Sequence, residues 1–268
     1  MGNTMPATVA GFGDVLGKVD NGLRELERIV KRIVADCERL LAWLGPLAQQ
    51  VKQLLERLTA LVRRAFDEVR KFVETPGDPM RLWQAADGWT DDVALHAGNP
   101  VGTLTADFMH GDDRWQGPAA TAYRGTLPPQ KAALEQTQTI ANQIGESLHD
   151  IALRIVAFWV GLAMAIVSLV AEMVAAAALT ATVAGAPVGL SAAAVATSKF
   201  LSIMASLVLA FTAVLTSSLD AQRRFSRQLN DNAAFAGPPS GHWPVSTTAT
   251  LNDGSMSDGD GSDWRLQP

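Results

Sequence analysis

Between residues 155 and 219 only two side chains carry charge, Glu172 and Lys199. A helix that crosses the ~30 Å hydrocarbon layer of a bilayer needs about 20 predominantly apolar residues. Residues 155–171 are uncharged and dense in Val, Ile, Phe, Trp and Leu, and reach that length by including Glu172 and the alanines after it. Residues 200–219 reach it unaided. Between the two runs, Gly185-Ala186-Pro187-Val188-Gly189 is a turn signal. The pattern predicts a transmembrane-like helical hairpin over 155–219, turning at Gly185, Pro187 and Gly189. Arg154 precedes it and Arg223, Arg224 and Arg227 follow it. Positive charge at both outer ends suits a hairpin whose two ends are cytoplasmic.

Glu172 and Lys199 lie 13 and 14 residues from the turn centre, which places them at similar depth in an antiparallel pair. A bare charge inside a bilayer is costly, so such residues pair or line a wet cavity; the alternative is that both snorkel to an interface. The competing setting is the core of a soluble bundle, which the small-residue stretches 175–178 and 191–196 would also suit. Core helices normally show a polar face, whereas residues 200–219 offer only Ser202, Ser206, Thr212, Thr216, Ser217 and Ser218. Membrane insertion is the favoured reading. Both settings hold if the hairpin is sheltered in a soluble state and released at a bilayer.

Upstream the periodicity changes. From Leu23 to Ala65 apolar residues fall in alternating steps of three and four, with Leu26, Ile33, Leu40, Leu47, Leu54 and Leu61 along one seam. A mean step of 3.5 residues is the coiled-coil period. Asp20 or Asn21 is placed to cap the helix, and residues 1–20, rich in small residues, are expected to be flexible. Gly45-Pro46 interrupts the segment, because an interior proline costs ~3 kcal/mol. The heptad phase continues across it, which predicts one kinked helix over 21–75. Eleven basic and 8 acidic residues decorate that segment, reading either as a basic face or, preferred here, as a solvated exterior of mixed charge. Cys37 falls on the seam and reads as a small buried hydrophobe.

Thr75-Pro76-Gly77-Asp78-Pro79 breaks the chain, and Asp78-Pro79 supplies a cap and a first-turn proline. Leu82, Ala85, Ala86, Trp89 and Val93 mark the apolar face of the helix that follows. Asn99-Pro100 interrupts it, and Val101, Leu104 and Phe108 resume the pattern. Trp115-Gln116-Gly117 then leads into Pro118-Ala119-Ala120-Thr121-Ala122-Tyr123, and Leu134, Ile140, Ile144, Leu148 and Ile151 continue at helical spacing after a break expected at Leu127-Pro128-Pro129. Gly117 permits tight reversal between antiparallel helices, Trp115 can cap the groove between them, and Ala120 lets them approach closely beside Tyr123.

This combination resembles the Trp-X-Gly family of type VII (ESX-type) secretion substrates, and Gly77-Asp78-Pro79 through Trp89 is similar to the first helix of its actinobacterial members. The resemblance covers residues 77–152. It implies a helical hairpin that pairs with another hairpin and is exported folded, with Trp115, Gly117, Ala120, Tyr123 and Trp89 as turn and packing residues. The chain departs from the family's export signal, a tyrosine followed four positions later by an acid: four residues after Tyr123 stands Leu127.

Charged residues make up 18% of the chain, below the roughly one quarter usual for soluble proteins, and the net charge of −5 argues against bulk affinity for nucleic acid. One cysteine excludes an internal disulfide or a multi-cysteine metal site. Residues 1–20 have neither the charged start nor the apolar core of a cleavable signal peptide. After Leu229 the composition turns to Gly, Pro, Ser, Thr and Asp, as in a disordered acidic tail, with Trp243 and Trp264 as candidate docking anchors. His110 beside Asp112 and Asp113 reads as a surface turn, and no nucleophile, phosphate-loop or zinc pattern appears.

The expectation is thus an all-α protein in five segments: 1–20, a coiled coil over 21–75, a Trp-X-Gly hairpin over 76–154, an apolar hairpin over 155–219, and a tail from 220. It is expected to be no enzyme, to need no cofactor or metal, and to take a lipid bilayer as partner, with oligomerisation through the coiled coil and the Trp-X-Gly hairpin. Its role is either a type VII secretion-associated protein that inserts its hairpin as effector, pore or translocation element, or a resident membrane scaffold whose helices bind a protein.

Overall fold

The computed structural model describes residues 4–105, 118–229 and 243, with backbone only at 118–120, 122 and 229. Among these residues every regular element is helical. The chain divides into two compact units, one of Thr4–Arg81 with Ile151–Thr216, the other of Leu82–Asp150 with the segment from Ser217.

The first unit holds α1 (Ala7–Ala10), α2 (Phe12–Leu40), α3 (Ala48–Val73) and the apolar parts of α6 (Pro118–Thr180) and α7 (Ala186–Leu229). Its anchor is aromatic. Trp159 meets Phe12 edge-on at 6.4 Å between ring centroids, and Phe158 lies 5.0 Å from Phe72 and 5.4 Å from Phe211. These contacts draw on α2, α3, α6 and α7 together. The buried indole N–H of Trp159 donates to the carbonyl of Pro76 at 2.9 Å, removing the cost of burying an unpaired donor.

Phe12 and Phe72 open and close the α2–α3 segment, yet both lie against neighbouring rings of α6. Helices α2 and α3 must therefore run in opposite directions. The single kinked helix expected across Gly45-Pro46 is instead two helices joined by a corner of two tight turns, Leu41–Trp43 and Gly45–Leu47. Gly45 has φ +51°, a left-handed conformation costly for other residues, and Pro46 brings no N–H to carry the ladder on. The heptad register nevertheless carries across the corner, since Cys37, Leu44, Val51, Leu58 and Ala65, each seven residues from the next, are all buried. Leu26 and Ile33 are buried and Leu40 half-buried, but Leu47 is exposed and Leu54 and Leu61 only half-buried; in α3 the buried line is Val51, Leu58, Val62, Ala65 and Val69.

Helix α2 begins at Phe12, earlier than the caps at Asp20 or Asn21 implied, and residues 12–20 are helical rather than flexible. Burial of Val9, Phe12 and Val19 explains this. The glycines that suggested flexibility, Gly13 and Gly17, face open space on the outer side, where a missing side chain costs helix propensity but no packing. The outer faces carry ion pairs one turn apart, among them Arg24–Asp20, Lys31–Glu27, Arg39–Asp36 and Lys71–Glu68, as a solvated exterior of mixed charge would. Hydrogen bonding to Lys31 holds the Glu27 carboxyl below its usual range.

In the second unit α4 (Pro79–Asp87) passes into a π-helical turn, Gly88–Ala94, then α5 (Leu95–Gly98) and a short 3₁₀ turn, Asn99–Gly102. The cap read at Asp78 is present: the Arg81 N–H donates to its Oδ1 at 3.0 Å. Trp83 stacks on His149 at 4.0 Å between ring centroids, His149 Nε2 lies 3.0 Å from Asp87 Oδ1, and a Cβ at Gly145 would meet Thr90 Oγ1 at 2.5 Å. Residues 83 to 90 thus run antiparallel to residues 149 to 145 of α6. The buried face is Trp83, Ala86, Ala94 and Ala97, not the expected line through Trp89 and Val93, both exposed. Ala86 belongs to both lines; beyond it the wider π turn takes up one extra residue, so that Ala94 and Ala97 rather than Trp89 and Val93 face inward. Residues 103–105 form a turn and bend instead of resuming the helix.

Helix α6 runs unbroken from Pro118 to Thr180 through Pro128 and Pro129, where a break was expected. Thr126 Oγ1 donates to the Tyr123 carbonyl at 2.6 Å, and burial of Thr126 and Leu127 offsets the donors the prolines remove. Trp115, Gly117, Phe108, the His110–Asp113 cluster and the acidic tail with Trp264 lie outside the described residues.

The packing separates two glycines of α2. A Cβ on Gly22 would sit 2.5 Å from Cγ2 of the buried, β-branched Ile166, whereas Gly17 meets nothing within 4 Å. By chemical denaturation, Gly22→Ala is expected to destabilise by about 1–3 kcal/mol, and Gly17→Ala to stabilise by about 0.5–1 kcal/mol.

Candidate functional site

The site is built on α6 and α7, both long and apolar enough to cross a membrane. They join through a short loop in which the Gly185 N–H donates to Thr182 Oγ1 and the Ala186 N–H to the Thr182 carbonyl. A Cβ at Gly185 would lie 2.4 Å from the Leu179 carbonyl oxygen. Pro187 and Gly189 fall in the first turn of α7 rather than in the loop. Gly189 lets that turn press on α6, since a Cβ there would be 2.7 Å from the Ala176 carbonyl oxygen.

The inner face of α6, including Trp159, Leu162, Ile166 and Met173, is buried. Its outer face is apolar too, with Val160, Met164, Val167 and Val174 exposed in one stripe. Helix α7 is barer. Phe200 and Met204 are buried, but no residue from 205 to 216 is, and Leu209 is 71% exposed. Half of an 18-residue apolar stretch of α6 is covered, but only 11% of the corresponding stretch of α7.

Four hydroxyls along the bare part of α7 and just before it are satisfied within the helix. Ser202, Ser206, Thr212 and Thr216 each donate to the carbonyl four residues back, at 2.8 to 3.1 Å. A hydroxyl bonded this way keeps no unmet donor when its surroundings lose water.

Glu172 and Lys199, read from sequence as equally deep, meet: Nζ lies 2.7 Å from Oε1, and Ser168 Oγ donates to the same oxygen at 3.3 Å. The side chains are 37% and 58% exposed, so in water the pair contributes little. In hydrocarbon the same contact would spare two charges from being bare. Lys199 also borders a groove of about 380 Å³ between α3 and α7, with Arg57, Leu54, Ser198 and Ser202 on its walls.

The remaining expected residues lie away from the α6–α7 hairpin contacts just described. Ala120 and Tyr123 lie in α6, Tyr123 half-buried, and Trp89 is 38% exposed in the π turn. The aromatic the sequence reading passed over is Trp83, buried against His149 with its N–H unpaired among the described residues. Among those residues no group of three or more His, Cys, Asp or Glu side chains is placed to hold a metal ion. Cys37 is fully buried, and burial pushes its thiol up to about 11. No family model, curated protein or solved structure matches the chain.

Two outcomes follow from this geometry. Lys199→Met should change the stability of the chain in water by less than about 1 kcal/mol in urea titrations. Cys37 should react with a thiol reagent at pH 8 at least about 100-fold more slowly in the folded chain than in urea. Because the unfolded thiol ionises near 9 and the folded one near 11, stability should fall as pH rises past 9.

Proposed function

We propose that this chain is a membrane-inserting helical protein, in which α6 and α7 enter a bilayer as a hairpin. The observation that carries the reading is the bare apolar face of α7: soluble chains rarely leave a large contiguous apolar surface uncovered, and the helix that carries it is long and apolar enough to span. The internally bonded hydroxyls of α7 and the Glu172–Lys199 contact support it, because they reduce the polar cost of leaving water. In the unit described here α2 and α3 cover the inner face of α6, so insertion exchanges that cover for lipid. Export by a type VII system as effector, pore or translocation element extends the reading, and rests on the resemblance of residues 77–152 to Trp-X-Gly substrates.

A resident scaffold is the second reading. The bases at both outer ends of the hairpin, Arg154 and Arg223, Arg224 and Arg227, favour it, since they match a hairpin inserted from the cytoplasm with both ends left there. Cell fractionation against a secretion-deficient control distinguishes the two, because only the exported protein changes compartment when the machinery is lost.

The purified full-length chain should partition into vesicles containing anionic lipid and release a trapped dye. A stable monomer that ignores vesicles under every condition tried would overturn the membrane reading. Glu172→Gln and Lys199→Met should both change bilayer conductance if the pair lines a pore; unchanged conductance in both removes that role.

A further inference from the structure

We propose that the α2–α3 corner and the adjoining α6–α7 loop form the surface on which the chain first seats against a lipid bilayer, with Trp43 as interfacial anchor. The proposal deepens the membrane-inserting reading and rests on it.

The two corners lie at one end of the same unit. Phe12 and Phe72 place the open ends of α2 and α3 beside Trp159 and Phe158. Gly22 then approaches Ile166, so α2 follows α6 in the direction of its C-terminus. On the return path Leu54 and Arg57 of α3 share a groove with Ser191 and Ala194, near the start of α7. The Leu41–Leu47 corner therefore sits at the end where α6 turns into α7.

That end is apolar and uncovered. Trp43 is 79% exposed while its neighbour Leu44 is 3% exposed. Leu44 holds the corner to the unit, and the indole beside it contributes little to the fold. Leu47, Val183 and Val188 are exposed at the same end. No charged residue occurs from 40 to 51 or from 173 to 198, and the first charges flanking the corner at Trp43 are both basic, Arg39 and Lys52. An exposed tryptophan on an uncharged tip, with Lys52 set back from it and Arg39 held by Asp36 behind, fits the boundary of a bilayer carrying anionic headgroups: the ring enters the interface and the lysine reaches phosphate.

The test uses the full-length chain and vesicles of phosphatidylcholine with phosphatidylglycerol, with partition measured by flotation. Trp43→Ser should lower the partition coefficient about tenfold with an unchanged melting temperature, whereas Val73→Ser at the opposite end should change it by less than about twofold. A thiol-reactive fluorophore on Ala42→Cys, with Cys37 buried and unreactive, should shift to the blue when vesicles are added; the same label on Thr75→Cys should not. Wild-type binding and dye release matched by Trp43→Ser, with no blue shift at residue 42, would overturn the anchor and leave membrane insertion standing. A Trp43→Ser chain that binds vesicles normally but changes its association state in sedimentation would assign the corner to self-contact, and so also overturns it. Wild-type chain that ignores the vesicles overturns both.

Discussion

The architecture follows from one constraint: a helical hairpin with two charges between residues 155 and 219 has more apolar surface than its own pairing can bury. Something must cover the rest. The chain supplies part of the cover from its N-terminal third, where α2 and α3 present apolar stripes inward and ion-paired charges outward. The aromatic cluster around Phe158 and Trp159 fixes where that cover begins and ends. The cover is incomplete, reaching α6 far more than α7, and the uncovered remainder is what points toward lipid.

Polar groups are handled consistently with this constraint. Trp159 bonds Pro76, the hydroxyls of α7 bond their own helix, and the two charges of the hairpin bond each other. Each arrangement is affordable in water and remains satisfied if water withdraws. By contrast, the salt pairs of α2 and α3 lie a turn apart on exposed faces, where they keep those helices soluble without holding the bundle together. The two helical pairs therefore differ in where their charge sits: α2 and α3 carry it on exposed outer faces, while the apolar hairpin of α6 and α7 pairs its one acid with its one base.

Much of this was legible in the sequence. Long charge-free runs, a 3.5-residue period and an Asp-Pro cap each act over a few neighbouring residues, so the helices and the turn near Gly185 could be read directly. The pairing of Glu172 with Lys199 was open as one of two outcomes, because equal depth does not say which way two side chains point. The errors share a cause. Val9 and Phe12 are ordered because Trp159 lies across from Phe12, the continuity of α6 through Pro128 and Pro129 is supported by Leu127 and Thr126 packing, and Trp83 turns inward against His149 of α6. Local propensity contains none of these contacts.

The sequence by itself determined that the chain is helical, where its apolar length lies and that its hairpin carries one acid and one base, since composition and period act within a single helix. Only the tertiary structure decided that the heptad segment doubles back at Gly45, that it covers α6 more than α7, and that Trp43 is left bare at the same end as the second turn. Those outcomes depend on which side chains meet across the bundle, and distance between helices is not written in spacing along one of them.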